Sequence, residues 1–254
     1  MSNSIPHSAV IAEQLTDYLR DLEAELSRSV GSMSKSSTFR GIFQNSLRAN
    51  AVLVALGRRE LALVKHAADT ARRLPLLVAC RQVSLAYVEL RRFLELVIAF
   101  PYFREHPIEW CRYLDEPTTG TVGATENPIS FAAHRDRSWY VSYVRDRFRG
   151  ETTGLVVEAA DELASHYSEL SAHVHVKANV ASRSIGKPFD DVANSSLRAF
   201  QETQRAVLSA GCVVVAGAKR RGITKLGAID RAWFDWLIGK KDAKRLRSGA
   251  FGLD

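Results

Sequence analysis

The sequence is short of cysteine and of long uncharged apolar runs, and each shortage excludes a class of protein. Its 254 residues include 3 cysteines, which stand far apart, as is typical of reduced thiols in the cytoplasm rather than of a disulfide framework. The opening residues MSNSIPHSAV lack the basic start and the apolar centre of a signal peptide. Arginine and glutamate interrupt the most apolar stretch, so no uncharged run there reaches the ~18 residues of a transmembrane helix. We expect a cytoplasmic protein without a transmembrane segment.

Patterns that would hold a metal ion or a nucleotide are also missing. His166, His173 and His175 are the densest group of metal-binding residue types. On one helix, however, His166 and His173 would lie about 10 Å apart along the axis, and His173 and His175 would point in directions that differ by ~200°. Cysteine or carboxylate partners at the usual zinc spacing are absent. The segment TTGTVGATENP lacks the order GxxxxGK[ST] of a phosphate-binding loop. We therefore predict no metal and no cofactor.

Basic residues are in surplus. Lysine and arginine number 35 against 28 acidic residues, which gives a net charge of +7. A basic surplus favours polyanionic partners such as RNA, although it also serves plain solubility.

The apolar stretch from Leu74 to Phe100 predicts a long helix that begins near Pro75 and ends before Pro101. Its apolar residues cover most of the circumference, which is typical of a helix surrounded by other helices. Its buried charges need partners. The apolar run AVLSAGCVVVAGA could form a strand, but we favour a buried helix because no partner strand is apparent. The predicted fold is all-α, a helical bundle with a long central helix and flanking N- and C-terminal helices.

The predicted organisation has three parts. Residues 1–35 would form an N-terminal helix and linker, 36–220 the bundle core, and 221–254 a basic C-terminal helical tail. The narrow apolar stripe of the first helix suits either a bundle helix or a self-association helix. The small polar residues from Ser29 to Thr38 predict a loop. In the tail, Trp233 and Trp236 either dock on the bundle or belong to a basic amphipathic helix that binds RNA, a membrane or a protein.

Two basic segments are candidate nucleic-acid surfaces. Arginines alternate with aromatic residues in residues 130–150, a pattern that can grip a phosphate backbone and stack on bases. The alternative there is an amphipathic helix with a solvated basic face. The candidate residues of the two segments are Arg135, Arg137, Arg145, Arg147, Lys240, Lys241 and Arg245.

A candidate catalytic group lies in the segment YSELSAHVH. On a helix, Tyr167 and Ser171 share one face, and His175 lies at its edge. We expect this face to pack on the central helix, where Arg91, Arg92 and Glu95 need partners.

The segments LRRFLELV and Y-x2-LS-x2-VH, at residues 90–97 and 167–175, resemble motifs of bacterial HEPN-like helical proteins of the abortive-infection and toxin type. The resemblance implies an all-helical bundle that forms a homodimer or binds a partner protein encoded in the same defence operon. It also implies metal-independent action on RNA, with His175 as proton shuttle or phosphate contact and an arginine holding the phosphate.

The chain departs from the ribonuclease pattern Arg-x4-6-His, because no arginine precedes His175 within seven residues. Arg91 or Arg92 would have to supply the positive charge from the neighbouring helix. Histidine and arginine together provide the base and the cation that attack by a 2′-hydroxyl requires. Two alternatives stay open: His175 packs the helix end while an arginine pairs with Glu95, and the protein is a non-catalytic interaction subunit. Arg59 and His66 match a looser Arg-x6-His form.

Overall fold

The computed structural model describes residues 7–57, 62–106, 108, 137–148, 153–174, 194–218 and 226–248. The helices in these residues are α1 His7–Met33, α2 Ser37–Gly57, α3 Ala62–Ala79, α4 Val83–Glu105, α5 Arg137–Arg147, α6 Thr153–Val174, α7 Asn194–Ala218, α8 Ala228–Ile238 and α9 Lys240–Ser248. The described part of the chain contains no strand, so the prediction of an all-α bundle is confirmed. None of its helices combines the length and the apolar character needed to cross a membrane.

Helix α7 lies in the middle of the bundle, where it packs against α2, α4, α6 and α8. Every residue from Ala210 to Ala218 is buried, which confirms the buried helix over the competing strand. Two glycines let its neighbours come close. A Cβ on Gly211 would lie 2.7 Å from the Phe93 ring of α4, and one on Gly217 would lie 2.6 Å from Val156 of α6. The helix axes are therefore closer than side chains at these positions would permit.

The predicted helix over residues 74–100 is divided into α3 and α4, so the prediction of one continuous helix was wrong. Arg81 adopts φ 59°, and the amides of Arg81 and Gln82 donate to the carbonyls of Val78 and Leu77. This is the Schellman arrangement that ends a helix, with arginine in the left-handed position usually taken by glycine. Both flanking prolines lie inside helices rather than at their ends.

A serine hydroxyl stabilises this turn from α1. Ser29 donates a hydrogen bond of 2.6 Å from its Oγ to the carbonyl of Ala79 and accepts one of 3.2 Å from Nε of Arg81. The predicted loop from Ser29 to Thr38 was therefore too long, because α1 continues to Met33 and α2 begins at Ser37. Ser36 caps α2, since its Oγ accepts from the amide of Phe39 at 3.3 Å.

Helix α1 contacts the bundle at its C-terminal end. Ser29 and Met33 are buried, whereas the described side chains from Thr16 to Arg28 are exposed apart from the half-buried Leu26. Leu19 is 52% exposed. The described side chains of residues 16–28 are therefore largely in contact with solvent.

The C-terminal tail packs into the same hydrophobic core as the other helices. Its buried residues are Leu226, Phe234, Leu237, Ala243 and Leu246. Trp233 is half-buried against that core, as the docking interpretation of the tail predicts, whereas Trp236 stays 42% exposed.

Candidate functional site

The two motif segments meet between α4 and α6, as the sequence predicts. Nη2 of Arg91 donates a hydrogen bond of 2.8 Å to the hydroxyl of Tyr167, and the guanidinium lies 4.9 Å from the centroid of the same ring. Nε of Arg91 lies 3.1 Å from Oε1 of Glu95, one turn along α4. The arginine side chain is only 12% exposed. The predicted pairing of an arginine with Glu95 thus holds for Arg91, whose charge is compensated inside the interface.

Ser171 uses its hydroxyl within its own helix. Its Oγ donates a hydrogen bond of 2.7 Å to the carbonyl of Tyr167, which is a common arrangement for serine inside helices. Ser171 therefore lies beside Tyr167 on the predicted face, but the bond engages the backbone of that residue and not its phenol.

Arg92 is the more accessible of the two arginines. Its side chain is 54% exposed, and its Nη1 lies 3.8 Å from Oε1 of Glu89, a distance at which an exposed pair contributes little. Oε2 of Glu89 is buried and has no hydrogen-bond partner in the part of the chain that the structure describes. An incoming anion would thus meet Arg92 before Arg91.

Helices α4 and α6 are also near each other around Tyr87 and Glu169. Burial raises the pKa of Tyr87, and the negative charge of Glu169 raises it further. Tyr87 precedes Arg91 on α4, whereas Glu169 follows Tyr167 on α6. Val174 ends α6 seven residues beyond Tyr167, or about 10 Å farther along its axis. His175 lies outside the described residues, so its meeting with an arginine stays a prediction.

The solvent side of α6 is acidic, a feature that neither sequence motif includes. Glu158, Glu162 and Glu169 are exposed, and their spacing places them on one face of the helix. Nδ1 of His166 lies 2.9 Å from Oε2 of Glu169. Partial burial of its carboxyl raises the pKa of Glu162 although the residue is largely exposed, and His166 opposes that shift. Negative charge makes a face unfavourable for polyanions, and the i, i+4, i+11 spacing of these carboxylates is visible in the sequence.

The arginine and aromatic residues of α5 divide between solvent and core. Tyr140 is buried, and its hydroxyl has no partner among the residues described. Burial, followed by the charge of Glu105, raises the pKa of Tyr143. Arg145 is exposed, and Nε of Arg147 lies 3.4 Å from Oε2 of Glu105. The helix is therefore amphipathic with a basic outer face, the alternative that the sequence left open.

For several predicted site residues, the structure describes neither backbone nor side chain, or the backbone alone. Arg135 and Arg59 fall outside the described residues, and only the backbone is described for Arg137 and Arg245. Lys240 and Lys241 are exposed at the start of α9, and His66 is exposed on α3.

Neither cysteine of the described residues suits nucleophilic catalysis. Burial raises the pKa of the fully buried Cys212 thiol and that of the half-buried Cys80 thiol, as their apolar sequence surroundings predict. In the described ranges, no group of three or more histidine, cysteine or acidic residues is placed to hold a metal ion.

Comparison of the chain with known proteins found no matching family model, no matching curated protein and no matching solved structure. The resemblance to HEPN-like proteins therefore depends on the two short motifs alone.

Proposed function

We propose that the protein is a HEPN-like member of a bacterial defence or toxin module that binds or cleaves RNA without a metal ion. The observation that supports this proposal is the hydrogen bond between Arg91 and Tyr167. It joins the segments 90–97 and 167–175, whose joint occurrence carries the resemblance.

In the proposed reaction, each residue has a separate task. His175 takes the proton of a ribose 2′-hydroxyl, whose oxygen attacks the adjacent phosphorus. The bond from phosphorus to the 5′-oxygen breaks, and that oxygen receives the proton, so the products carry a 2′,3′-cyclic phosphate and a 5′-hydroxyl. Arg92 contacts the phosphate because its side chain is exposed. Arg91, held by Glu95 and Tyr167, positions α6 against α4.

The test is incubation of the purified protein with total RNA in the presence of a metal chelator. We expect cleavage that leaves cyclic phosphate ends and that His175→Ala abolishes. Arg92→Gln should lower the rate by about a hundredfold, the loss typical of removing one donor to a developing negative charge.

Arg104→Gln is the matched control, because Arg104 is an exposed arginine of the same helix. It removes the same charge and should leave the rate within about twofold of wild type, since surface changes away from a site have small effects. Intact RNA at high protein concentration, or full activity of His175→Ala, would contradict the proposed catalysis.

A second candidate function is a non-catalytic interaction subunit, and the outer face of α2 favours it. Phe43, Leu47 and Val54 share this face and are 49%, 45% and 50% exposed. Between Gly41 and Gly57 the only charged residue is Arg48, whose guanidinium turns to Trp236. An exposed apolar helix face without charge is typical of an interface.

The occupant we propose for this face is a second copy of the chain. In a two-fold symmetric contact the same patch meets itself, so charged patches must be self-complementary. An uncharged face meets its copy without repulsion, even though the whole chain carries +7.

A further inference from the structure

Two arginines from different helices converge on one exposed tryptophan. Trp236 of α8 is 42% exposed. The guanidinium of Arg48 from α2 lies 3.4 Å from the centroid of its ring, and that of Arg205 from α7 lies 5.9 Å from it. We call these three residues the tryptophan cluster. None of them belongs to the candidate site between α4 and α6.

Among the residues that the structure describes, no acidic side chain forms an ion pair with either arginine of the tryptophan cluster. Nη1 of Arg48 is buried and has no hydrogen-bond partner among the same residues. Desolvation by burial lowers the pKa of Arg48. Two guanidinium groups at one aromatic ring, without an acidic partner in the described ranges, form a positive surface that attracts anions.

Docking of α8 alone does not account for the cluster. Phe234 and Leu237 of α8 are already buried in the core, and Oγ of Ser209 donates to the carbonyl of Leu237 at 2.9 Å. These contacts hold α8 against α7. Trp236 nevertheless keeps a large exposed area, which aromatic residues at functional surfaces use for stacking.

We propose that the tryptophan cluster is a contact site for single-stranded RNA, in which the arginines bind a phosphate and the exposed part of the indole stacks on a base. Arginine donors match phosphate geometry, and every base offers a π-face. Lys240 and Lys241 are exposed close by in sequence and extend the positive surface. The acidic face of α6 is unfavourable for RNA, because its carboxylates repel phosphate groups. RNA as the ligand rests on the proposed function, whereas the site depends on neither His175 nor cleavage.

The first test measures binding by fluorescence anisotropy. The probe is a labelled oligouridine of about a dozen nucleotides, within the site sizes known for single strands. Every protein in this assay carries His175→Ala, which prevents cleavage, and the protein with this substitution alone is the starting protein. Arg205→Gln should weaken binding by about threefold to tenfold and reduce the slope of log K against log salt by about 0.7, as expected for one lost phosphate contact.

Arg72→Gln is the matched control, since Arg72 is an exposed arginine of α3 and the substitution removes the same charge. It should leave affinity and salt slope close to those of the starting protein. Equal losses of RNA affinity in Arg205→Gln and Arg72→Gln would mean that RNA is attracted by net charge alone. That result would overturn the proposed binding site.

The second test separates stacking from docking of α8. Trp236→Phe keeps an aromatic face and should retain most of the affinity, whereas Trp236→Leu keeps apolar bulk and should lose about fivefold or more. An abasic strand should bind the Phe and Leu variants equally, because it offers phosphate without bases. Thermal unfolding midpoints of the two variants should agree, which excludes misfolding as the cause of the difference.

RNA binding by Trp236→Leu that equals that of the His175→Ala starting protein would overturn the proposed stacking. The two proposals fail separately. RNA that is bound through the cluster but never cleaved removes the catalytic proposal alone, and RNA that is cleaved without any effect of Arg205→Gln or Trp236→Leu removes the cluster alone.

Discussion

At the scale of single residues, Arg91 joins the two motifs through its hydrogen bond to Tyr167. Its bond to Tyr167 links α4 to α6, while Glu95 neutralises it. The sequence predicted that these residues meet, because a buried charge requires a partner. The sequence did not predict which of the two adjacent arginines turns inward, since Arg91 and Arg92 differ only in their direction on the helix.

Tyr167→Phe tests the bond between α4 and α6. We expect the free energy of unfolding to fall by about 1 kcal/mol, because a part-buried hydrogen bond is lost. The same substitution in an Arg91→Gln background should cost clearly less, since the donor is already absent. Urea denaturation of the four proteins gives both values, and equal costs in the two backgrounds would show that the hydroxyl does not interact with Arg91.

Cys212 should not react with thiol reagents while the protein is folded. Its side chain is fully buried, and burial raises the pKa of the thiol, so the reactive thiolate is scarce at neutral pH. A protein with Cys80→Ala and Cys111→Ala retains this thiol alone. We expect labelling only as denaturant unfolds the chain, and rapid labelling without denaturant would contradict the burial.

The tryptophan cluster could not be predicted from the sequence. Its members come from α2, α7 and α8, and no motif links positions so far apart. The sequence of the tail predicted that its two tryptophans pack against the bundle, and Trp233 does so. The contacts of Trp236 depend on the packing of three helices, which a linear pattern does not encode.

At the scale of helices, the apolar periodicity predicted that a helix exists more accurately than it predicted where the helix begins and ends. The stripes of α1 and α6 and the apolar run of α7 each predicted a helix, because apolar residues three and four positions apart share a face. The sequence did not predict the break between α3 and α4, because Arg81 occupies the left-handed position where glycine is the usual signal. The two prolines suggested the wrong ends because both are accommodated within helices.

Gly211→Ala tests the close approach of α7 to α4. The added methyl would lie 2.7 Å from the buried ring of Phe93, so we expect a loss of about 1–3 kcal/mol, as for other overpacked cores. Thermal or urea unfolding provides the measurement.

Gly31→Ala is its control, because a Cβ there meets nothing within 4 Å. Alanine favours a helix over glycine by about 0.8–1.0 kcal/mol, so this variant should be as stable as wild type or more stable. A Gly211→Ala protein of undiminished stability would mean that the two helices separate without cost.

At the scale of the whole molecule, the uncharged face of α2 predicts self-association. Leu47→Glu places a negative charge at its centre, and two copies would then bring like charges together. We expect wild-type protein to sediment as a dimer of the 28.2 kDa chain and the variant to sediment as a monomer.

Leu85→Glu is the comparison, because Leu85 is 51% exposed on α4 and lies outside the face. It should leave the mass unchanged. A monomeric wild type, or a Leu47→Glu protein of the same mass as wild type, would remove the proposed dimer.

The attachment of α1 has a consequence for proteolysis and charge. The helix is anchored by Ser29 and Met33, while the arginines at 20 and 28 are exposed, so we expect trypsin to cleave at these two arginines. Residues 1–28 hold five acidic and two basic side chains. Their removal would leave a body with three more net positive charges than the intact chain, and that body would attract polyanions more strongly. The acidic residues of α1 thus offset part of the positive charge of the rest of the chain.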